Sequence, residues 1–200
     1  MLNLKRIAPL ILLLYSGAVL AHSREAAGFV SGFARPFLGI DHLLAMISVG
    51  VISARIGGAY IWGIPALFVL SMVVGGVLGA YGVPLPMVEW GIALSVLVLG
   101  VATMVVHRAG AAVLAVVMTF VALFGALHGH AHGTEMPGSI SPVFYSTGFV
   151  TSTSSIHLLG VYVGFLPGKA QRLVKLPSYV GSAIAIAGLF ILLNLAGSQD

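Results

Sequence analysis

The stretch VLAVVMTFVALFGALHGHAHGTE (Val113–Glu135) joins a long apolar run to three histidines and a glutamate. About 20 apolar residues in a helix are needed to cross the hydrocarbon core of a bilayer, and this run with its flanks approaches that length. Charged residues make up only 7% of the chain, so the polar end of the stretch stands out. The stretch predicts a membrane-spanning helix that carries ionisable groups at one end.

The composition of the whole chain supports a membrane protein. The 200 residues are 59% hydrophobic, and the mean hydropathy is +1.10, which leaves too little polar surface to cover a soluble globule. The chain has no cysteine, which excludes disulfides and thiolate metal sites. The net charge of +4 is scattered at segment ends, without the basic patch and interleaved aromatics that bind nucleic acid.

Six apolar segments follow the N-terminal region, and short polar or Gly/Pro-rich turns separate them. They are expected near 36–54, 60–81, 86–106, 110–131, 143–166 and 177–196. Backbone groups cannot remain unpaired in lipid, and the alternating pattern of a β-barrel is absent, so the segments should be helices. Gly75-xxx-Gly79 and Gly160-xxx-Gly164 predict close helix contacts. The fold class expected is an all-α, polytopic membrane protein with six transmembrane helices.

The N-terminus, MLNLKRIAPLILLLYSGAVLAHS, has basic residues, a short apolar stretch and then small residues at 19–21. This pattern predicts a cleavable N-terminal signal peptide over residues 1–21, with the six-helix domain over residues 22–200. The mature chain would then begin at His22. An uncleaved first helix is the alternative interpretation.

The basic residues of the connections predict the orientation, because cytoplasmic loops are enriched in Lys and Arg. Most of them fall on one side of the predicted spans: Arg55, Arg108, Lys169, Arg172 and Lys175. That side is expected to be cytoplasmic. The chain is therefore predicted to be multi-pass in the bacterial inner (cell) membrane, with both mature termini on the periplasmic side.

Ionisable residues inside membrane spans are costly, so each is a functional hypothesis. The segment RPFLGIDHLLAM is expected to place Asp41 and His42 about two turns into the first span. The segment TSTSSIHLLG places His157 inside the fifth span, after five consecutive hydroxyl residues. No basic residue lies on the same helix face as Asp41, so its carboxylate is expected to meet a cation, a proton or a distant partner.

The fourth span offers a set of ligands on one helix face. His128 and His132 are four residues apart and Glu135 follows three residues later, so the three share one side of a helix. His130 points roughly the other way. Imidazole and carboxylate together suit borderline divalent ions such as nickel, cobalt, zinc and copper.

Other interpretations of these polar residues remain open. Residues 128–135 could form an exposed His-rich loop that binds metal only adventitiously. Gly129 and Gly133 are expected to loosen this end of the helix. His157 could hydrogen-bond between helices in a structural role, and the hydroxyl run could bond back to the carbonyls of its own helix.

Three motifs resemble the HupE/UreJ membrane proteins, which are regarded as nickel or cobalt permeases linked to hydrogenase and urease maturation. The family pattern His-Pro-x-x-Gly-x-Asp-His-Leu-Leu-Ala-Met corresponds to RPFLGIDHLLAM, and His-Gly-x-Ala-His-Gly-x-Glu corresponds to HGHAHGTE. A fifth-helix histidine after Gly-Phe and hydroxyl residues corresponds to GFVTSTSSIHLLG. A cleaved signal peptide that leaves an N-terminal histidine is also similar to the family.

The resemblance implies a set of residues that handle the metal ion. These are Asp41, His42, His128, His132 and Glu135, together with His157 and the N-terminal His22. His130 occupies a variable position of the motif, so its inclusion as a ligand rests on local chemistry alone.

Arg35 departs from the pattern, which has histidine at this position. Arginine stays positive and cannot ligate a metal as a neutral donor. We expect it to pair with Asp41 or with Glu89 when no metal ion is bound.

The function implied is a secondary transporter, not an enzyme, that moves Ni²⁺ or Co²⁺ into the cytoplasm. No resident cofactor is expected; the divalent metal ion is the cargo, and Zn²⁺ is a third candidate. The expected partners are the metal ion, the lipid bilayer and the maturation machinery of hydrogenase or urease. Two other functions stay open: a metal-binding accessory or sensor without transport, and an intramembrane zinc metallohydrolase, for which the HExxH motif is missing.

Cleavage after Ala21 gives the first testable prediction. Mass spectrometry of the protein purified from membranes should find His22 as the N-terminal residue, with a free α-amine. Retention of Met1 would exclude that amine as a metal ligand and would leave the uncleaved helix as the correct interpretation.

Overall fold

The computed structural model describes residues 25–107 and 109–198, and within these ranges all regular structure is helical. Seven α-helices follow one another in the described part of the chain: α1 Glu25–Leu38, α2 Ile40–Ile56, α3 Tyr60–Ala80, α4 Val88–Val105, α5 Ala111–Thr134, α6 Pro142–Phe165 and α7 Leu176–Gly197. Two single-turn 3₁₀ helices, Leu166–Gly168 and Gln171–Leu173, connect α6 to α7. The predicted signal peptide, His22 and Arg108 lie outside the described residues.

The apolar segments predicted from the sequence coincide with the helices from α3 to α7 to within a few residues. Five helices are long and apolar enough to cross a membrane, and six spans result if α1 and α2, which meet at an angle of 82°, count as one broken span. The all-helical prediction is therefore confirmed for the described residues, while the number of spans is fixed only at five to six.

The continuous helix expected near 36–54 is broken close to its start. Residues 36–38 belong to α1, and the helix breaks at Gly39, whose backbone is extended with φ −100° and ψ 108°. Asp41 and His42 consequently lie in the first turn of α2 and not two turns inside a continuous helix. Hydropathy does not reveal the break, because the residues on both sides of it are apolar.

The end of α5 also differs from two expectations. The helix continues to Thr134, so Gly129 and Gly133 do not loosen it. His128, His130 and His132 are all buried, and they are not part of an exposed loop. The glycines serve a different purpose, because a Cβ atom at either position would collide with the backbone of α3.

The helices pack as pairs whose backbones approach closely at glycine. The closest pairs are α3 with α5, α2 with α6, and α4 with α7. The first two run parallel: a Cβ at Gly75 of α3 would strike the backbone of Ala126, and one at Gly79 would strike that of His130. The contact between Gly100 and Gly181 belongs to the antiparallel pair α4 and α7. The predicted role of the glycine spacing in helix packing is confirmed.

One end of the bundle is basic. Arg55 ends α2 and donates hydrogen bonds to the carbonyl oxygens of Thr103 and Met104, which lie in the last turn of α4. Cations at helix C-termini are favoured by the helix dipole. Gly164, near the end of α6, lies against Ala54, so the basic connection from α6 to α7 adjoins this same end.

The glycine contacts predict a difference between two substitutions in α3. Gly75→Ala should lower the free energy of unfolding by about 1–3 kcal/mol, because its new methyl group collides with the backbone of α5. Gly63→Ala is the matched control, since nothing lies within 4 Å of a Cβ at that position. Thermal unfolding of the purified protein in detergent measures both, and equal melting temperatures would contradict the packing described here.

Candidate functional site: a buried histidine cluster

Three histidines from two helices meet inside the bundle. The imidazole of His42 lies against those of His128 and His132, with ring centroids 4.4 Å and 4.2 Å apart. All three side chains are buried. We call His42, His128 and His132 the histidine cluster, and it brings together residues predicted from two separate motifs.

His128 is oriented by its own helix. Its Nδ1 donates a hydrogen bond to the carbonyl oxygen of Phe124, one turn earlier, at 2.8 Å. A carbonyl only accepts, so in the neutral imidazole Nδ1 carries the proton and Nε2 carries the lone pair. That Nε2 is buried and has no hydrogen-bond partner among the described residues. His128 therefore presents a nitrogen with a free lone pair, an atom suited to bind a metal ion, to the interior of the bundle.

His42 is oriented by the residue before it. Its Nδ1 donates to Oδ1 of Asp41 at 2.8 Å, which leaves Nε2 buried and unpartnered among the residues described. Gly39 makes room for this arrangement, since a Cβ there would stand 2.9 Å from the Asp41 carboxylate and 3.0 Å from the His42 ring. A carboxylate that holds the far nitrogen of a histidine is the usual support of a histidine ligand.

His132 is held by packing and not by a hydrogen bond. Its ring lies 4.4 Å from that of Phe149, and neither nitrogen has a partner within the described part of the chain. It borders a lateral cavity of about 370 Å³ between α3, α5 and α6, which Met72 and Tyr145 also line. A buried polar atom without a partner costs about 1–3 kcal/mol, so the cluster gains free energy by binding a ligand.

A second cavity, of about 210 Å³, leads from the surface to the histidine cluster. We call it the entrance cavity, and its walls come from the break between α1 and α2, the start of α4 and the end of α5. Its charged and polar lining residues are Arg35, Asp41, His42, Glu89, His132 and Glu135. Three carboxylates against one guanidinium make this cavity attractive to cations.

Arg35 does not pair with Asp41 or Glu89 as expected. Its guanidinium forms an ion pair with the carboxylate of Glu135 instead. The end of α1 and the end of α5 meet at the entrance cavity, and the sequence alone gives no indication of this contact.

His157 lies deeper in the bundle than the histidine cluster. Both of its nitrogens are buried and without a hydrogen-bond partner in the described ranges. Its backbone is in contact with Gly50, eight residues beyond His42 on α2 and therefore about 12 Å along that helix. Phe68 connects the two sites, since its ring lies 5.7 Å from that of His128 and 5.2 Å from that of His157.

His130 stands apart from the cluster, as its helical position predicts. Its Nε2 lies 2.7 Å from the carbonyl oxygen of Val83, so the ring fastens α5 to the loop between α3 and α4.

The hydroxyl run largely follows the structural interpretation. Thr151, Ser152 and Ser155 hydrogen-bond to carbonyl oxygens of their own helix. Thr153 differs, because its buried Oγ1 lacks a hydrogen-bond partner among the described residues. It lies one turn before His157 on the same face of α6.

The histidine cluster brings candidate metal-binding side chains together, but their present arrangement is not that of a metal site. In residues 25–107 and 109–198, no three His, Asp or Glu side chains are arranged so that they could hold one metal ion as they stand. An ion must therefore turn at least one of the rings before three side chains can hold it.

Sequence reasoning missed two residues that shape the site. Phe68 is one of three aromatic residues in the apolar helix α3, and no local pattern marks its contact with two histidines. Gly39 could have been recognised, because a glycine two residues before the Asp-His pair is a possible end of a helix.

Comparisons with known proteins identify the family. The model of the HupE / UreJ protein family matches residues 10–191. Protein HupE of Rhizobium leguminosarum bv. viciae is 39% identical over 171 residues, which cover 85% of this chain and 87% of that protein. No solved structure matches the chain. The match spans all of the helices that supply the histidine cluster, and the chain belongs to the HupE/UreJ family.

Proposed function

We propose that this protein is a permease that moves Ni²⁺ or Co²⁺ through the inner membrane into the cytoplasm. The HupE/UreJ family is associated with nickel and cobalt uptake for hydrogenase and urease. The observation that carries the proposal is the convergence of His42, His128 and His132, with unpartnered nitrogens, at the bottom of a carboxylate-lined cavity. Imidazole and carboxylate are suitable ligands for nickel and cobalt, and neither metal requires a thiolate.

The charges at the two ends of the bundle support the direction of transport. The entrance cavity is acidic, while the opposite end holds Arg55 and the basic connection with Lys169 and Arg172. Because basic ends are retained in the cytoplasm, the entrance cavity would face the periplasm. His22, with its α-amine free after cleavage, would then start the mature chain on the side of this cavity.

The order of the residues along the helices suggests a route. An ion attracted by Glu135 and the other carboxylates would reach the histidine cluster and then pass Phe68 to His157. Phe68 is fully buried and contacts an imidazole of each site, so it separates them. Several sites of moderate affinity suit transport, because the ion must leave each one.

The energy for uptake would come from the membrane potential, a proton gradient or a partner protein. A potential that is negative inside favours inward movement by about 2.3 kcal/mol per charge per 100 mV, or about twice that for a divalent ion. The maturation machinery of hydrogenase or urease would receive the ion in the cytoplasm.

His128→Ala should abolish uptake of radioactive nickel and cobalt by cells that express the protein. The substitution removes the only nitrogen of this side chain that is free to ligate, and no neighbour replaces it. His107→Ala is the matched control, since His107 is exposed at the opposite end of the bundle. Uptake by His128→Ala at the level of the control, with equal protein in the membrane, would refute the proposed route.

Asp41→Asn tests the support of His42 separately from the ligands. Loss of such a supporting carboxylate typically costs about 10–100-fold in metal affinity, so KM for nickel uptake should rise by about that factor. Glu89→Gln removes a charge from the same cavity without touching an imidazole hydrogen bond, and its effect should be smaller. Equal effects of the two substitutions would show that Asp41 acts only through its charge.

Transport can also be distinguished from binding alone. Purified protein in proteoliposomes should accumulate nickel under a potential that is negative inside. Stoichiometric binding without accumulation would instead identify a metal-binding accessory or sensor.

A further inference from the structure

The ion pair between Arg35 and Glu135 occupies a place where a metal cation would enter. Arg35 lies in the last turn of α1, Glu135 is the C-cap residue of α5, and both line the entrance cavity. Their side chains are 35% and 50% exposed, so the pair is reached from the surface and can open without unfolding its surroundings. Glu135 lies three residues after His132, on the helix face that leads to the histidine cluster.

Glu135 is the carboxylate of the cavity that most needs a cation. Asp41 and Glu89 lie in the first turns of α2 and α4, where the helix dipole stabilises negative charge. Glu135 lies at the C-terminal end of α5, where the dipole opposes a negative charge. The carboxylate of Asp41 also accepts a hydrogen bond from the His42 ring. Among the three carboxylates, the one at the end of α5 gains most from a positive partner.

A guanidinium and a metal ion cannot use the same carboxylate oxygens together. Arginine remains charged at any physiological pH and binds carboxylates through a rigid fork of donors, yet it offers no lone pair to a metal. Arg35 is also covalently tethered, so its local concentration never falls. An arriving ion must therefore compete with it for Glu135, and a doubly charged ion competes better than a singly charged one.

Contacts between backbones also hold α1 in place, apart from the ion pair. Gly32 of α1 packs on the backbone of Tyr145, and Gly148 of α6 packs on that of Phe29. These contacts between backbones fix α1 against α6 independently of Arg35.

We propose that Arg35 is a specificity-determining residue, a tethered cation that occupies the Glu135 carboxylate until a divalent metal ion displaces it. This inference rests on the proposed metal transport. It makes Glu135 a conditional ligand: the carboxylate is neutralised in the resting state and is released to the ion only by exchange. The exchange lowers the affinity of the entrance cavity for cations in general and favours divalent ions.

The test uses the full-length protein and two measurements, the equilibrium dissociation constant for Ni²⁺ in detergent and KM for Ni²⁺ uptake in proteoliposomes. Arg35→Gln should lower both constants about three- to five-fold, the factor by which a partly exposed ion pair competes, with little change in maximal rate. Arg172→Gln removes the same charge from the opposite end and should change neither constant. An unchanged or higher dissociation constant for Arg35→Gln would overturn the proposal.

A double variant distinguishes competition from structural support. Glu135→Gln should raise the dissociation constant, because it removes a carboxylate and leaves the guanidinium unpaired in the cavity. In the Glu135→Gln background, Arg35→Gln should improve nickel binding by less than it does in the wild type, because no carboxylate remains for the guanidinium and the ion to compete for. If Arg35→Gln improves binding equally in both backgrounds, or lowers the unfolding temperature of the wild type without improving its binding, the guanidinium does not compete with the ion and the proposal is wrong.

The experiments distinguish failure of the Arg35 proposal from failure of the transport proposal. If the wild type binds nickel but does not accumulate it, the transport proposal fails and the dissociation constants still decide the role of Arg35. If uptake depends on His128 while Arg35→Gln leaves both constants unchanged, transport stands and the competition mechanism is excluded.

Discussion

The site depends on the close approach of α3 and α5. A bilayer offers no hydrophobic driving force between helices, so their association relies on packing of the backbones at small residues. Gly129 lies against the carbonyl of Met72 and Gly133 against that of Gly76, so no side chain separates the two helices along this length. Gly129 and Gly133 each follow a histidine of α5, and the close approach of the two helices brings His128 into contact with Phe68.

The hydrogen bonds of the cluster orient the imidazoles without using all of their nitrogens. Phe124 and Asp41 each accept from one Nδ1, which fixes the tautomers of His128 and His42 and leaves each Nε2 free. A structural histidine would usually have both nitrogens satisfied, because a buried polar atom without a partner is costly. His157 also has two buried nitrogens without a partner among the described residues, so both the histidine cluster and His157 carry this free-energy cost.

Much of the fold follows from local sequence, whereas the site follows only in part. The extent of α3 to α7 and the stripe from His128 to Glu135 come from hydropathy and the 3.6-residue period, which are local properties. The break at Gly39 was missed because apolar residues continue across it. The Arg35–Glu135 pair and the contacts of Phe68 depend on which helix ends meet in space, and no local pattern encodes that.

The three imidazoles of the cluster differ in their freedom to move, and this difference determines how an ion can be bound. His128 is fully enclosed and tied to its own helix, while His42 is tied to Asp41. His132 has no hydrogen bond to break, and it borders both the entrance cavity and the lateral cavity. Since the three rings do not form a metal site as they stand, His132 is the ring that can turn at least cost. Two fixed imidazoles and one mobile imidazole would give a site that can close on an ion and release it again.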